Sequence, residues 1–383
     1  MRETIGRRIA VHRRRRGLSQ TAVAGLVGRS ESWLSQVERG LRGVDSYTVL
    51  RDLARVLRVD IDLLTDARPP TATGDIGVPD EPVAAVERAL LCGAEAGRKP
   101  VGDIRGTVIC AHADYQAARY DEVLTVLPRL IAGLDAGHPA PVVAGYTVVA
   151  KTLTKIGAAD LALIAADRAW AVARRAGDPA DVGMAVYQVV CALLPTPRGV
   201  LAEELAAGTA SEIESGSGPD VWSVSGALWL IGAVAAARRG DATVAAARLA
   251  RADRLATLVG RDGNRRWTAF GPTNVAIHRV SVAVELGDAP AALVAAGTVD
   301  LDRLPEGLHS RRVQVRLDLA WAQAQRRRDA DALVTLLEVE RAAPQVTRRN
   351  VVARDTIRQL LARARGTTGA AVRGLADRAG VAV

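Results

Sequence analysis

Apolar residues recur at three- and four-residue steps along almost the whole chain, whereas runs that alternate apolar and polar positions are rare. The first pattern has the period of amphipathic helices and the second has that of strands, so the sequence predicts an all-α protein. Near the N-terminus, Gly17 and Gly40 end two of the apolar runs, and Ser19 and Ser30 stand where helix N-caps are expected. Helices are predicted over residues 3–16, 20–27, 31–39 and 46–57, with a short fifth helix around 60–64.

One segment interrupts the helical pattern, ARPPTATGDIGVPDEP at residues 67–82. Pro, Gly and Thr dominate it and it has no apolar period, as is typical of a linker. A chain of 383 residues is also long enough for two or more domains. The sequence therefore predicts a domain over residues 1–68, a linker over 69–82 and a second domain over 83–383.

Positive charge is concentrated in the first of these domains. The chain carries a net charge of +9, and residues 1–68, with 14 Arg and 8 Asp or Glu, account for +6 of it. Four consecutive arginines, Arg13 to Arg16, contribute to this excess. A basic module ahead of a nearly balanced body predicts an anionic partner for the first domain.

The stretch LSQTAVAGLVGRSESWLSQVERG, residues 18–40, places two short helices around a glycine turn. It resembles the helix-turn-helix of the phage-repressor-like (XRE) family, and the resemblance extends over residues 3–66. It implies a five-helix DNA-binding domain whose third helix enters the major groove of double-stranded DNA. The positions that carry the likeness are Leu18, Ser19, Gln20, Gly28, Ser30, Ser32, Ser35, Glu38 and Gly40.

The resemblance implies roles by position. Glu31, Ser32 and Ser35 are expected at base edges, and Glu38 is expected to hold the third helix to the body of the domain. Trp33 either packs on a sugar or a thymine methyl or joins the core. The arginines attract phosphates irrespective of sequence. The full set expected at DNA is Gln20, Arg29, Ser30, Glu31, Ser32, Trp33, Ser35, Gln36, Arg39, Arg42, Arg13 and Arg14.

The second domain contains internal repeats. KIGAADLALIAADRA, which begins at Lys155, aligns with RRGDATVAAARLARA, which begins at Arg238. Small residues recur at matching positions, and the pattern resembles a degenerate tetratricopeptide repeat with units of about 40 rather than 34 residues. The resemblance implies an α-solenoid with one concave surface, because each unit buries its faces only against its neighbours. The matched small residues are Ala150, Ala162 and Ala169 with Ala233, Ala245 and Ala252, and more loosely Ala320 and Ala332.

The repeat phase places the first helix of each unit on the concave surface. Lys151 and Lys155 lie one helical turn apart there and are expected to bind an anionic group of an effector, such as a peptide carboxylate; a solvated positive face is the alternative. The segment 265–288 resembles the C-terminal repeats of actinobacterial regulators that join the two kinds of domain. The residues expected at the effector are Lys151, Lys155, Arg238, Trp267, Asn274, His278, Gln314 and Trp321, with core packing as the alternative for Trp267 and His278.

Motifs of catalysis are absent from the sequence, which has no HExxH, GxSxG, GxxxxGK[ST] or GxGxxG. Its three cysteines form no CxxC pair, so no metal site and no cofactor are predicted. An odd number of cysteines without a disulfide pattern predicts free thiols in a reducing cytoplasm. The apolar run 221–237 is short for a membrane span and is interpreted as a buried core helix. The N-terminus has no apolar signal core.

The sequence thus predicts a cytoplasmic transcriptional regulator and not an enzyme. The expected protein is a homodimer that reads DNA with the first domain and senses a peptide or a small molecule with the second, similar to quorum-sensing regulators. The alternative is an interaction scaffold whose helix-turn-helix does not bind DNA.

Overall fold

A computed structural model describes residues 5–15, 18–44, 47–57, 64, 81–92, 101–134, 138–196 and 198–381. The chain divides into two compact units, residues 1–77 and 78–383, each of which is described by itself. Every regular element in the described residues is a helix, so the predicted all-α class is confirmed. The predicted division into domains at 68 and 82 stays a prediction, since residues 65–80 lie outside the described residues.

The N-terminal unit contains four described helices: α1 (Ile5–Arg15), α2 (Gln20–Leu26), α3 (Glu31–Glu38) and α4 (Tyr47–Leu57). Their apolar faces meet in one core, in which Ile9, Leu34 and Leu53 are fully buried. Helices α1 and α3 are in backbone contact, because a Cβ on Gly6 would lie 1.8 Å from the carbonyl oxygen of Val37. The four long predicted helices are present, and the predicted fifth lies outside the described residues except for Leu64.

The C-terminal unit is a succession of helices joined by short turns. Two single-turn 3₁₀ helices, at Arg265–Trp267 and Leu301–Arg303, interrupt the series. The α-helices are α5 (Glu81–Cys92), α6 (Ile104–Gln116), α7 (Tyr120–Leu134), α8 (Pro139–Lys155), α9 (Ala159–Ala176), α10 (Pro179–Leu193), α11 (Gly199–Ile213), α12 (Pro219–Arg238), α13 (Ala242–Val259), α14 (Pro272–Glu285), α15 (Ala289–Gly297), α16 (His309–Gln325), α17 (Asp329–Ala342), α18 (Pro344–Arg349), α19 (Val351–Arg363) and α20 (Gly366–Arg378).

The repeated small residues lie where consecutive helices pack. Helices α8 and α9, α12 and α13, and α16 and α17 form such pairs, which the repeat alignment predicts. Alanine allows two helix backbones to approach closely, because its side chain adds little thickness. The completely buried repeat alanines are Ala150, Ala162, Ala169, Ala233, Ala245, Ala252, Ala320 and Ala332.

A left-handed residue recurs at the turn between the helices of a pair. Gly157, Gly240 and Gly287 have φ values of +86°, +81° and +75°. Glycine takes this conformation without a steric penalty. Ala118 and Arg327 take the same position in two other pairs, with φ of +63° and +60°. The turn of the repeat therefore has the same left-handed backbone conformation even in units that have no glycine at this position.

Within the C-terminal unit, a helix near its start, α7, contacts a helix near its end, α18. The backbone N–H of Asp121, on α7, donates to Gln345 on α18 at 2.9 Å, across a separation of 224 residues. Arg349, also on α18, pairs with the Asp121 carboxylate at 2.8 Å. Helix α12 is long and apolar enough to cross a membrane, but 83% of its apolar window is buried inside the unit, as predicted for a core helix.

Candidate nucleic-acid interface and ligand site

The α2–turn–α3 motif is fixed by two caps and a glycine. The Ser19 hydroxyl accepts a hydrogen bond from the Ala22 N–H at 3.0 Å, and the Ser30 hydroxyl accepts one from the Trp33 N–H at 3.2 Å. Gly28 has φ of +65°, so the chain reverses there without strain. Both caps satisfy amides that a helix leaves unpaired. The Ser30 side chain therefore holds the start of α3, although it was predicted at DNA.

The N-terminal part of α3 faces away from the core of its unit. Arg29, Ser30, Glu31 and Ser32 are exposed, whereas Leu34 and Val37 are buried. The Glu31 carboxylate accepts a hydrogen bond from the Thr21 hydroxyl at 2.7 Å, which ties α3 to α2. Of the other predicted contacts, Ser35 and Gln36 are half-buried, and Arg39 and Arg42 are exposed.

Trp33 contributes to the core and not only to the surface. Its ring is half-buried and packs against the core of the N-terminal unit. The guanidinium of Arg29 lies 5.8 Å above the ring, within the range of a cation–π contact. Of the two alternatives for Trp33, the structure supports core packing, with one face covered by Arg29.

Glu38 is the centre of an internal network that includes two of the predicted DNA contacts, Arg13 and Gln20. Arg13 donates to Glu38 through Nε at 2.6 Å and through Nη2 at 2.9 Å, and its Nη1 donates to the Leu18 carbonyl at 2.8 Å. Gln20 donates to Glu38 at 2.7 Å. Arg13 and Glu38 are only 11% and 5% exposed. Arg13 and Gln20 therefore brace α1 and α2 on α3, and their contact with phosphates stays a prediction; the side chain of Arg14 lies outside the described residues.

In the C-terminal unit, three cationic side chains lie around buried Tyr115 and half-buried Tyr187. We call Lys151, Lys155 and Arg311 the cationic cluster. Lys151 is buried, with its Nζ 4.6 Å from the centre of the Tyr115 ring and 3.3 Å from the carbonyl oxygen of Trp267. Lys155 donates to Gln314 at 3.5 Å, and Arg311 lies beside the Tyr187 hydroxyl. Helices α6, α8, α10 and α16 supply these residues.

Burial governs the protonation of this cluster. Burial, followed by the charge of Arg311, lowers the pKa of Lys151 to about 7 and that of Lys155 to about 8. Burial also raises the pKa of Asp318 to about 7, against the hydrogen bonds that it accepts from Ser281 and Gln314. Lys151, Lys155 and the neighbouring Asp318 therefore change their charge near neutral pH.

A backbone segment with unusual conformations, residues 265–269, lies against Lys151. Arg266, Trp267 and Ala269 have φ of +46°, +61° and +53°, values that cost a non-glycine residue on the order of 1 kcal/mol each. The Trp267 ring stacks on buried His112 with centroids 4.3 Å apart. Arg266 holds the segment through ion pairs with Asp178, Asp181 and Asp220.

Several predicted ligand residues line the same interior. Gln314 joins Lys155 to Asp318, donating to the latter at 3.0 Å. His278 is buried, its Nδ1 bonds to the Asn274 carbonyl at 2.8 Å, and burial lowers its pKa to about 3. Its bonding fits the core-histidine interpretation. Asn274 is also buried, and its side-chain oxygen has no partner among the described residues.

Two predicted ligand residues are not brought to the lysines. Arg238 is exposed and forms an ion pair with Glu285 at 2.9 Å. Trp321 packs on a separate apolar cluster of α14 and α15. Both follow the repeat phase, but the phase specifies a face and not how far along the array a residue lies. The sequence does not predict Arg311 or Tyr187 at this site. Neither residue belongs to a motif, and only the packing of helices that are distant in sequence brings them to the lysines.

Groups for metal or nucleophilic chemistry do not assemble here. Within the described part of the chain, no group of three or more His, Cys, Asp or Glu could hold a metal ion. Burial raises the pKa of the Cys191 thiol to about 11, which keeps it protonated near neutral pH and unreactive.

Comparison with known proteins identifies the N-terminal domain. No curated protein matches the chain significantly. Among solved structures, PlcR of Bacillus thuringiensis, crystallised in complex with the peptide PapR7 and DNA, aligns with a TM-score of 0.39 and 12% identity over 82% of this chain and 99% of PlcR. At that TM-score the likeness does not establish a shared fold. Residues 4–67 match the family described as a helix-turn-helix domain, so the N-terminal part of the chain is a helix-turn-helix domain.

Proposed function

We propose that the protein is a DNA-binding transcriptional regulator that works in the cytoplasm and whose C-terminal helical array binds an effector. The observation that carries the proposal is the helix-turn-helix domain over residues 4–67, whose α3 leaves its N-terminal side chains exposed. The excess of positive charge in residues 1–68 supports an anionic partner of this kind.

The array supports the second half of the proposal through its buried polar atoms. The Oγ1 of Thr147, the Nε2 of Gln188 and the Oδ1 of Asn274 are buried and lack partners among the described residues. Unpaired buried donors and acceptors are costly, so each of these atoms calls for a partner that the described residues do not supply. The Thr147 hydroxyl lies one turn of α8 from Lys151, and a free hydroxyl beside a cationic cluster suits an effector with polar groups and a negative charge, such as a peptide.

Dimerisation is part of the same proposal. A single helix-turn-helix buries little surface on DNA, and operators usually pair two half-sites related by the symmetry of a dimer. Sedimentation of the full chain alone and on a paired-site duplex tests this step. A monomer in both samples would remove dimerisation from the proposal without affecting DNA binding.

Sequence preference is expected to depend on α3. Ser32 is exposed and Ser35 half-exposed on the face that the family presents to bases. Ser32→Ala and Ser35→Ala are each expected to cost about 1–3 kcal/mol on the preferred site if the serine makes a good base contact. Selection of bound duplexes from a random pool, with the full chain and each variant, measures the change. If both variants lose affinity equally on preferred and random DNA, the serines do not read bases.

Salt dependence is expected to depend on the exposed arginines. Arg42 and Arg39 are exposed, and an arginine guanidinium always carries a positive charge in proteins. Arg42→Gln should weaken binding to all sequences alike and lower the slope of log affinity against log salt by about 0.9 for a lost phosphate contact. Arg316→Gln, in the C-terminal unit, is the control. An unchanged slope for Arg42→Gln would place this side chain away from DNA.

A further inference from the structure

The cationic cluster has no direct ion pair among the described residues, and the acidic group that attracts Lys155, Asp318, is linked to it through Gln314. Within the described residues, none of Lys151, Lys155 and Arg311 forms an ion pair with a carboxylate; they lie instead beside the Trp267 carbonyl, the Gln314 amide and the Tyr187 hydroxyl. The two lysine contacts are long, at 3.3 Å and 3.5 Å. Neutral acceptors at such distances compensate a buried ammonium poorly. The cluster is thus better suited to an anion than to the groups that it contacts.

Further polar atoms in the same interior are also unsatisfied. Thr147 precedes Lys151 by one turn of α8, so the two share a face, and its buried hydroxyl has no partner in the described part of the chain. His112, beside Lys151, bonds to the Ala144 carbonyl through Nε2 at 3.0 Å and leaves a buried Nδ1 unpaired among the described residues. These atoms are observations independent of the charges, and they indicate a site for a polar ligand.

The space beside Lys155 is small. The cavity that Lys155 lines with Tyr120, Gln314 and Arg349 has a volume of about 10 Å³, close to what one water molecule needs. A carboxylate or phosphate therefore reaches the cluster only if one of the present contacts yields.

The contact that can most readily break is the one between Lys151 and the 265–269 segment. The segment adopts three left-handed conformations at residues other than glycine, and the ion pairs of Arg266 hold it in place. Its Trp267 carbonyl accepts from Lys151, and from Gln116 at 3.5 Å. The Lys151 contact is one of those that keep this unfavourable conformation, so its loss favours relaxation at Trp267 and Ala269 while the Arg266 ion pairs remain.

We propose that Lys151, Lys155 and Arg311 form a binding site for an oxyanion. When an oxyanion binds there, Lys151 donates to it instead of to the Trp267 carbonyl, and the 265–269 segment is released. The oxyanion is a carboxylate or a phosphate group, which bring two or more acceptor oxygens to three cations. The inference rests on the proposed function in one respect, that the oxyanion belongs to the effector. The segment then converts occupancy of the site into a change in the contacts between α10, α12 and the 3₁₀ turn.

The test uses the full chain without DNA and three salts at equal ionic strength: sodium acetate, sodium phosphate and sodium chloride. Thermal unfolding of the C-terminal unit reports binding, and hydrogen exchange of the amides of Trp267, Thr268 and Ala269 reports the segment. We expect acetate or phosphate to raise Tm saturably above the chloride value and to speed exchange at these three amides. The salt with the larger effect identifies carboxylate or phosphate as the ligand group.

Variants separate the site from general salt effects. Arg311→Gln and Lys151→Met should each remove both responses, whereas Arg316→Gln, at a half-exposed position on the helix of Arg311 with Glu338 as partner at 3.8 Å, should keep both. Equal Tm increases in wild type and Arg311→Gln would overturn the site, since excluded anions stabilise any protein. A saturable Tm increase without faster exchange would overturn the release of the segment. Because no DNA is present, a failure of DNA binding would contradict the proposed function and leave this site standing.

Discussion

Replacing Arg13 with methionine is expected to destabilise the N-terminal unit by about 3–5 kcal/mol and to remove DNA binding on every sequence. The physical reason is the burial of Glu38, which is 5% exposed and receives two hydrogen bonds from Arg13. Without the guanidinium, a buried carboxylate keeps Gln20 as a neutral donor but loses its counter-charge. Hydrogen exchange of the α1–α4 amides against denaturant, in the full chain, measures the loss.

The companion variants make this result specific. Arg13→Met combined with Glu38→Gln should recover part of the stability, because the double variant no longer buries an unpaired charge. Arg42→Gln, at an exposed position, should leave stability within about 0.5 kcal/mol. If Arg13→Met instead keeps its stability and lowers the salt slope of DNA binding, Arg13 contacts phosphate and its pairing with Glu38 is dispensable.

Arg13 also shows why a charge run is a poor guide to a single side chain. The run from Arg13 to Arg16 predicts phosphate contacts because four arginines read together as a solvated positive face. The partner of Arg13 lies 25 residues away on α3, a separation that no local pattern encodes. The role of Glu38 in holding α3 to its unit, in contrast, follows from the family resemblance and agrees with its contacts.

The C-terminal unit shows the same division between local and distant information. Repeat spacing predicts the packing of α8 on α9 and of α12 on α13, because completely buried alanines recur at fixed steps. The i, i+4 spacing also predicts that Lys151 and Lys155 share a face. Arg311 could not be predicted, since seven α-helices, α9 to α15, separate its helix from that of the lysines. The winding of the array is the sum of many small rotations between neighbours, which sequence spacing does not specify.

The 265–269 segment is a further case. A glycine and a proline at positions 271 and 272 predict a helix start, and α14 does begin at Pro272. The left-handed conformations at Arg266, Trp267 and Ala269 run against residue preference, so no sequence rule would place them there. Tertiary contacts impose them, above all the ion pairs of Arg266 with Asp181 and Asp220. Departures from local preference of this kind concentrate at functional sites.

Replacing Lys151 with methionine is expected to stabilise the C-terminal unit by about 1–4 kcal/mol near neutral pH. Methionine keeps the length and apolar character of the lysine chain and removes a charge that burial disfavours. Residues that sit in a binding site at a cost to stability often behave in this way. A purely structural Lys151, held by Tyr115 and the Trp267 carbonyl, would instead make the variant less stable.

The pH dependence of stability gives a second readout of Lys151. Its pKa is about 7 in the folded unit and 10.5 in the absence of burial, so between these values the unfolded chain binds more protons. Stability should therefore rise with pH above about 7, by at most about 1.4 kcal/mol per pH unit for one lysine. Below about 7 the lysine is charged in both states and contributes no slope.

Other groups limit the useful window to the range from about pH 7.5 to about 8.5. Asp318, with a pKa of about 7, titrates below it, and Cys191, with a pKa raised to about 11, opposes the rise above it because the unfolded thiol ionises first. Lys155, with a pKa of about 8, keeps part of the slope in the Lys151→Met variant.

The measurement is the free energy of unfolding of the C-terminal unit, by denaturant titration at several pH values, for wild type, Lys151→Met and the surface control Arg316→Gln. We expect wild type and the control to share one slope, and Lys151→Met to be more stable and less dependent on pH, with the gap closing as pH rises. Identical slopes in all three proteins would show that Lys151 keeps its ordinary pKa in the folded unit. The lysine would then be hydrated, as in the solvated-face alternative, and the oxyanion site would lose the unfavourable charge that makes an anion its natural occupant.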